Sequence, residues 1–248
     1  MSEYIDVLTD EDNEEIEAFL NKNMPKPVNQ KMQDMYIGYI DINGMQNMMK
    51  SMSEIEFEKL CNNIATIVDS IISENISYED DLNIKVDFHM FSDNMIFLCS
   101  ELQFLIERMG LLQRRLAVCL KLTIKGGIDR GKIYKYKNRF VLGSGLASAY
   151  KIDANYHNPA IKVASELVND CINYVKKVSY DEYVVDYYKI ASDLSSDFDF
   201  EELPFMSKLI KENLSQGYQG DVLHKYLWMK EYHNDYCLEN HIERMIIT

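Results

Sequence analysis

The chain has 248 residues, with 40 Asp and Glu against 26 Lys and Arg and a net charge of −14. That acidity argues against duplex DNA or an anionic membrane as partner, since both favour a broad basic face, and no apolar run approaches the ~20 residues of a membrane span. With 47% apolar residues, few glycines and few prolines, the chain can bury a large core. A small anionic ligand stays open to it, held by divalent metal, a few local cations and backbone N–H groups. The five cysteines contain no C-x-x-C pair, which predicts reduced thiols in a cytosol. The acidic N-terminus carries no basic and apolar leader, so the expectation is a cytoplasmic protein.

Residues 1–34 read as an acidic amphipathic helix around Ile16, Phe19 and Leu20, broken at Pro25 and Pro27. Met35–Ile40 is a short apolar run, read as a buried strand that ends at Asp41, with Gly44 following. Ser53 and Glu56 form a capping-box pattern. Behind it Leu60, Ile64, Ile67, Val68 and Ile71 recur at helical spacing. Ile84, Val86, Phe88 and Met90 then alternate with Lys85, Asp87 and His89, as in a strand with one buried face. A turn at Ser92–Asp93–Asn94 leads into a second strand, Met95–Cys99, so an Asp sits at a hairpin tip.

Glu101 to Val118 is expected to be helical. Leu122–Ile128, Lys132–Tyr136 and Phe140–Leu142 read as three strands. Gly145 to Asn155 reads as a helix and Ile161–Val163 as a strand, followed by a helix through Lys176. Tyr183–Tyr188 reads as a last strand. From Glu201 on, two helices are split at Gly217–Gly220. Antiparallel strands interleaved with helices make an α+β layer and not a doubly wound sheet. The order fits a ferredoxin-like core, in which the first strand lies beside the hairpin. The expected organisation is an N-terminal segment 1–34, a core 35–190 and a C-terminal helical extension 191–248.

In that topology Asp41 and Asp93, far apart in sequence, meet at adjacent strand ends. Two carboxylates there suit a pair of divalent ions acting at phosphorus. The Ile42 carbonyl adds a possible third ligand, and Asn43, Gly44 and Met45 offer backbone N–H groups to terminal phosphates. Lys125, before the Gly126–Gly127 pair, and Lys151, on the helix after Gly145, are candidate phosphate contacts. His89 either faces a cleft or is a plain surface histidine. The five histidines have no zinc spacing, and Gly143–Ser144–Gly145 is not a P-loop.

Ile37–Gly38–Tyr39–Ile40–Asp41–Ile42–Asn43–Gly44 resembles the first metal motif of class III nucleotidyl cyclases, and Phe91–Ser92–Asp93–Asn94 resembles the second. Lys125 to Gly131 is similar to their later Arg-Gly-x-Ile-x-x-Gly strand. The Phe-Ser-Asp form, the Gly143 to Ala149–Tyr150 spacing followed by Asp153 and Pro159, and the segment Lys225–Asn234 are most similar to the pyrimidine cyclases of Pycsar anti-phage systems. The resemblance spans about residues 36–235. It implies a ferredoxin-like cyclase fold, two Mg²⁺ or Mn²⁺ ions on Asp41, Ile42 and Asp93, and a homodimer with active sites at the interface. It also implies conversion of UTP or CTP to a 3′,5′-cyclic nucleotide that acts on a separate effector.

Lys151 and Ala147 would approach from the other subunit, at the positions where purine cyclases carry a transition-state Arg and Asn. A Lys lacks the bidentate fork of Arg. His89 and Phe140 stand where an adenine-reading Lys and Asp would be, which disfavours ATP and points to contacts with a smaller base. The same replacements also fit a weakened homologue that binds nucleotide without turnover.

Overall fold

A computed structural model describes residues 14–16, 18–19, 22, 31–73, 84–136, 140–195 and 197–248. The chain divides into two units, Met1–Lys31 and Met32–Thr248. In the first, residues 14–16, 18–19 and 22 are helical, with Ile16 and Phe19 exposed. Leu20 and the Pro25–Pro27 break lie outside the described residues.

The second unit is built on β1 (Gln33–Ile42), α1 (Met45–Ser51), α2 (Glu54–Ser73), β2 (Asp87–Phe91), β3 (Asn94–Cys99), α3 (Leu102–Leu120) and β4 (Ile124–Tyr136). There follow β5 (Phe140–Leu142), α4 (Ser144–Ala154), β6 (Ile161–Val163), a 3₁₀ segment (Ser165–Tyr174), β7 (Val175–Ser179) and β8 (Glu182–Val185). The tail holds α5 (Tyr187–Leu194), α6 (Leu203–Leu214) and α7 (Gly220–Glu239). The sheet order is β2-β3-β1-β4-β6-β8-β7, with β5 on β4. Its first four strands have the ferredoxin-like order, and β6 lies parallel to β4 while every other pairing is antiparallel.

The α+β expectation holds, and so do most element boundaries. The capping box forms: Ser53 Oγ and its backbone N–H both donate to Glu56 Oε2, at 2.7 and 2.9 Å. Leu60, Ile64, Val68 and Ile71 of α2 are buried in one large core with α3 and one face of the sheet. Arg108 of α3 is also buried there and donates to the Ile71 carbonyl at 2.7 Å, tying the two helices together. Arg114 and Arg115, on the same helix, engage Glu202 and Ser70 and not the sheet end.

Four readings need correction. The two strands at Leu122–Ile128 and Lys132–Tyr136 are one, because β4 pairs without interruption along the whole of β1. Polar Asp129 and Arg130 are carried in the ladder, Arg130 donating to Asp34 at 2.9 Å. The β2 ladder starts at Asp87, so residues 84–86 lie outside it, and Met90 is 39% exposed. The helix expected to run through Lys176 is a 3₁₀ segment ending at Tyr174, followed by edge strand β7. Tyr187 and Tyr188 belong to α5 because Asp186 caps it, accepting from the Lys189 N–H at 3.2 Å.

The opposite sheet face is covered by α4 over a smaller cluster of Ile37, Tyr39, Ile96, Leu98, Ile133 and Ala149. Close approach of α4 requires glycine at position 127, where a Cβ would lie 2.3 Å from the Ala149 carbonyl oxygen. The tail helices build a third cluster, in which Tyr187, Tyr188, Phe198, Tyr232 and Tyr236 pack with Ala117, Tyr156 and Val184 of the sheet unit. His233 is fully buried there, its Nδ1 3.1 Å from the Tyr188 hydroxyl and its Nε2 3.0 Å from the Met245 carbonyl. The carbonyl can only accept, so Nε2 carries a proton. Among the described residues no helix is long and apolar enough to cross a membrane.

Two outcomes follow from this packing. Gly127→Ala should destabilise the protein by about 1–3 kcal/mol, as overpacking does, read from the urea midpoint. Burial, with a smaller contribution from Lys211, holds the His233 imidazole below its usual value against the opposing Met245 carbonyl. The unfolded chain therefore binds a proton that the folded chain refuses, and this contribution to stability is complete above about pH 6.5 and falls as the pH drops below it. Urea denaturation at about pH 7.5 and about pH 5.5 should show a larger acid loss in the wild type than in His233→Gln.

Candidate active site

The sheet register brings the site together. Phe91, Asn94, Asp41 and Lys125 lie opposite one another across β2, β3, β1 and β4. Paired residues share a face, and this face is the one that α4 covers. One pleat away, His89, Ile96, Tyr39 and Gly127 form the parallel row. Asp93 lies in the two-residue turn between β2 and β3, entered through Ser92 at φ 56. The Ile42 N–H donates to the Asp93 carbonyl at 3.1 Å, locking the end of β1 to the hairpin tip.

Asp41 is partly exposed at 28% of its side chain. Burial, reinforced by the Asp93 charge, raises its carboxyl above the usual range, although the Lys125 ammonium pulls the other way. Lys125 Nζ lies 3.5 Å from Asp41 Oδ2 and 2.6 Å from Asp153 Oδ2. Asp153, on the inner side of α4, is 3% exposed, and its Oδ1 has no hydrogen-bond partner. Burial raises its carboxyl too, opposed by Lys125.

Tyr39, two residues before Asp41 and so on the same face, donates its hydroxyl to Asn94 Oδ1. Asn94 Nδ2 in turn donates to Asp93 Oδ1 at 3.1 Å. Burial, and then the charges of Asp153 and Asp41, push the Tyr39 phenol up to about 12, so it remains a donor. The tyrosine thereby orients Asn94, and Asn94 orients Asp93.

After Ile42, the Asn43 N–H is committed to the Thr123 carbonyl at 2.9 Å. Of the three loop N–H groups considered for phosphate, those of Gly44 and Met45 stand at the start of α1, where a helix provides no internal partner. Gly44 makes the turn at φ 79 and Met45 is buried in the core. Asn43 Oδ1 accepts from Lys225 of α7 at 2.8 Å.

The remaining candidates lie apart from this centre. His89 shares the face but sits on the edge strand; burial, the leading cause, lowers its imidazole pKa, with Lys135 adding to this and Asp87 opposing it. Phe140 is the first residue of β5, paired with Tyr136. Ala147 and Lys151 are exposed on α4, on the side away from buried Gly145, Ala149 and Asp153. Asn94 and Tyr39 were not among the sequence candidates, nor was Lys225 as a site residue, and Asp153 was noted only as part of a motif. The one available signal was Tyr39, an aromatic with a polar tip spaced to share a face with Asp41.

Asp41, Asp93 and the Ile42 carbonyl make a donor set well short of a complete shell. That composition suits Mg²⁺ or Mn²⁺, ions that keep waters and take substrate phosphate oxygens as ligands. It does not suit a self-contained site, and among the described residues no group of three or more His, Cys, Asp or Glu is placed to hold a metal alone.

No family model and no curated protein match the chain. Solved structures do. The guanylyl cyclase domain of the RhoGC fusion protein from the aquatic fungus Blastocladiella emersonii superposes with a TM-score of 0.50 at 11% identity, over 64% of this chain and 98% of that one. The adenylyl cyclase CyaB from P. aeruginosa gives 0.49 at 10%, over 64% and 96%. A class III adenylyl cyclase-like ATP-binding protein from Pseudomonas aeruginosa gives 0.49 at 14%, over 77% of this chain and 50% of that one. The fold is that of the class III nucleotidyl cyclases, with a mostly antiparallel sheet flanked by helices.

Removing the buried carboxylate tests the charge cluster. Asp153→Ala leaves Lys125 without its nearest partner and should cost about 1–3 kcal/mol, read as a lower urea midpoint.

Proposed function

We propose that the protein is a pyrimidine nucleotide cyclase that converts UTP or CTP to cyclic UMP or cyclic CMP and pyrophosphate. The observation that carries the reading is the meeting of Asp41 and Asp93 at adjacent strand ends, joined by the Ile42–Asp93 hydrogen bond. In the reaction the ribose 3′-oxygen bonds to the α-phosphorus. The bond from that phosphorus to the oxygen leading to the β-phosphate breaks, pyrophosphate leaves with the electron pair, and the hydroxyl proton passes to solvent.

Asp41, Asp93 and the Ile42 carbonyl would hold two divalent ions. When bound, these supply charge stabilisation at the attacking and leaving oxygens. Tyr39 and Asn94 fix the Asp93 carboxylate. Lys125, anchored on Asp153, sets the position of Asp41. The N–H groups of Gly44 and Met45 are donors for the terminal phosphates. His89, whose pKa burial lowers, would meet the base through one ring nitrogen. Phe140 would contact the same base.

A homodimer completes the reading. Lys151 and Ala147 point away from their own Asp41, so they would serve the site of a second copy, with Lys151 meeting phosphate charge. Exposed Phe91, Leu142 and Tyr150 around this face would be covered by that copy. The motif resemblance supports the pyrimidine specificity and a role in phage defence, the cyclic product acting on a separate effector.

Purified protein incubated separately with ATP, GTP, CTP and UTP, with Mn²⁺ or Mg²⁺, should give cyclic UMP or cyclic CMP by mass spectrometry. Asp41→Ala and Asp93→Ala should each lower product about 100-fold or more, since several kcal/mol of charge stabilisation is lost, with the dimer intact by light scattering. Cyclic AMP or cyclic GMP would overturn the base assignment. Metal-dependent triphosphate binding without any cyclic product would favour a nucleotide-binding homologue.

A further inference from the structure

α7 does more than complete the tail cluster. Its later turns supply the buried residues Met229, Tyr232, His233, Tyr236 and Cys237. Its first turns run past that core and bring Lys225, half-buried, to the loop that follows the candidate metal ligands Asp41 and Ile42. There Lys225 Nζ donates to Asn43 Oδ1 at 2.8 Å. Among the described residues this is its single hydrogen bond, and no carboxylate lies within ion-pair distance. An ammonium has three donors, so two remain for a ligand. Because Oδ1 faces the lysine, Nδ2 is the other end of the Asn43 amide, and it is buried with no acceptor. Unspent donors of two side chains therefore stand together beside the Gly44–Met45 turn.

The electrostatics point the same way. Lys225 lies within Coulomb range of Lys125, Asp41 and Asp221; burial, then the Lys125 charge, lowers its pKa, and the two carboxylates oppose this. A lysine kept partly out of water, near a second lysine and bonded to a neutral amide, is best satisfied by an anion.

We propose that Lys225 is a phosphate-binding residue of this site, carried by the C-terminal extension to the terminal phosphates of the triphosphate bound by the same chain. The inference rests on the cyclase reading for the identity of the ligand, and its geometry rests on Lys225 and Asn43. The role differs from that assigned to Lys151, which serves the site of a second copy.

The test is calorimetric titration of the full chain with inorganic tripolyphosphate and Mg²⁺, together with KM and kcat for the nucleotide that is cyclised. Lys225→Met should weaken tripolyphosphate binding and raise KM roughly tenfold or more, the loss expected for one charge-assisted hydrogen bond. kcat should change less, and affinity for the cyclic product, which has no terminal phosphates, should not change. Lys225→Arg should retain binding. Lys225→Gln keeps a donor toward Asn43 while removing the charge, so it decides the matter if the Met variant fails to fold, and it should show the same loss. Equal tripolyphosphate affinity in wild type and Lys225→Gln, or no binding by the wild type, overturns the proposal. Lys225-dependent binding with no cyclic product would overturn the cyclase reading and leave the phosphate site standing; turnover indifferent to Lys225 would do the reverse.

Discussion

A lysine ammonium held between a buried carboxylate and a half-buried one sets the geometry of the site. Asp153 sits under α4 at 3% exposure, where a lone carboxylate would cost several kcal/mol. Lys125 meets it at 2.6 Å, which demands that α4 lie close on β4. That approach is possible because position 127 lacks a side chain. The second contact of Lys125, to Asp41, is longer at 3.5 Å. The unequal pair has a chemical consequence. If Asp41 exchanged its lysine contact for a metal ion, as the proposed function requires, Lys125 would stay anchored on Asp153 and the scaffold would not have to move.

The rest of the site follows from strand register. The large core lies on one face of the sheet under α2 and α3, and the polar row Asn94, Asp41 and Lys125 lies on the other. Rigidity and chemistry are therefore separated by one strand's pleat: Ile40 and Ile42 point into the core while Tyr39 and Asp41 point to the site. The hairpin tip has no such core of its own. It is fixed by the Ile42–Asp93 backbone bond and by the chain from Tyr39 through Asn94 to Asp93. Tyr39 can play this part because it is packed against Tyr150, edge to face at 5.3 Å, and so reaches Asn94 from a fixed base.

How much of this could be read from sequence depends on the range of the interactions. The capping box at Ser53–Glu56, the β1 end at Asp41 and the hairpin turn at Asp93 are set by neighbouring residues, and the sequence displays them. The ferredoxin-like order then made the meeting of Asp41 and Asp93 legible. Strand β4 was misread as two because Asp129 and Arg130 interrupt its apolar alternation, and only pairing with β1 carries it through. Edge strand β7 has two adjacent lysines, Lys176 and Lys177, between Val175 and Val178, which breaks any alternation; its ladder to β8 defines it. Asp153 and Lys225 enter the sequence reading only as members of motifs, and no neighbouring residue signals their contacts. One looks like a polar helix residue and the other like a solvated lysine, until tertiary packing places them beside Lys125 and Asn43.

The same packing bears on how so acidic a protein would hold the anionic ligand of the proposed function. Charges on distant surfaces are screened within a Debye length of about 8 Å at physiological salt, so the net −14 weighs little beside partly buried charges a few ångströms apart. What matters there is the local set: Asp41, Asp93 and Asp153 against Lys125 and Lys225. Asp153 is already spent on Lys125. Burial and the nearby Asp93 charge raise the Asp41 carboxyl against the pull of Lys125, and a divalent cation beside Asp41 and Asp93 would relieve that. Cations placed there leave Lys225, with its two unspent donors, as a positive group facing the loop where an anion would lie. On the proposed function the carboxylates would recruit the metal, and metal and lysine together would draw phosphate to the site.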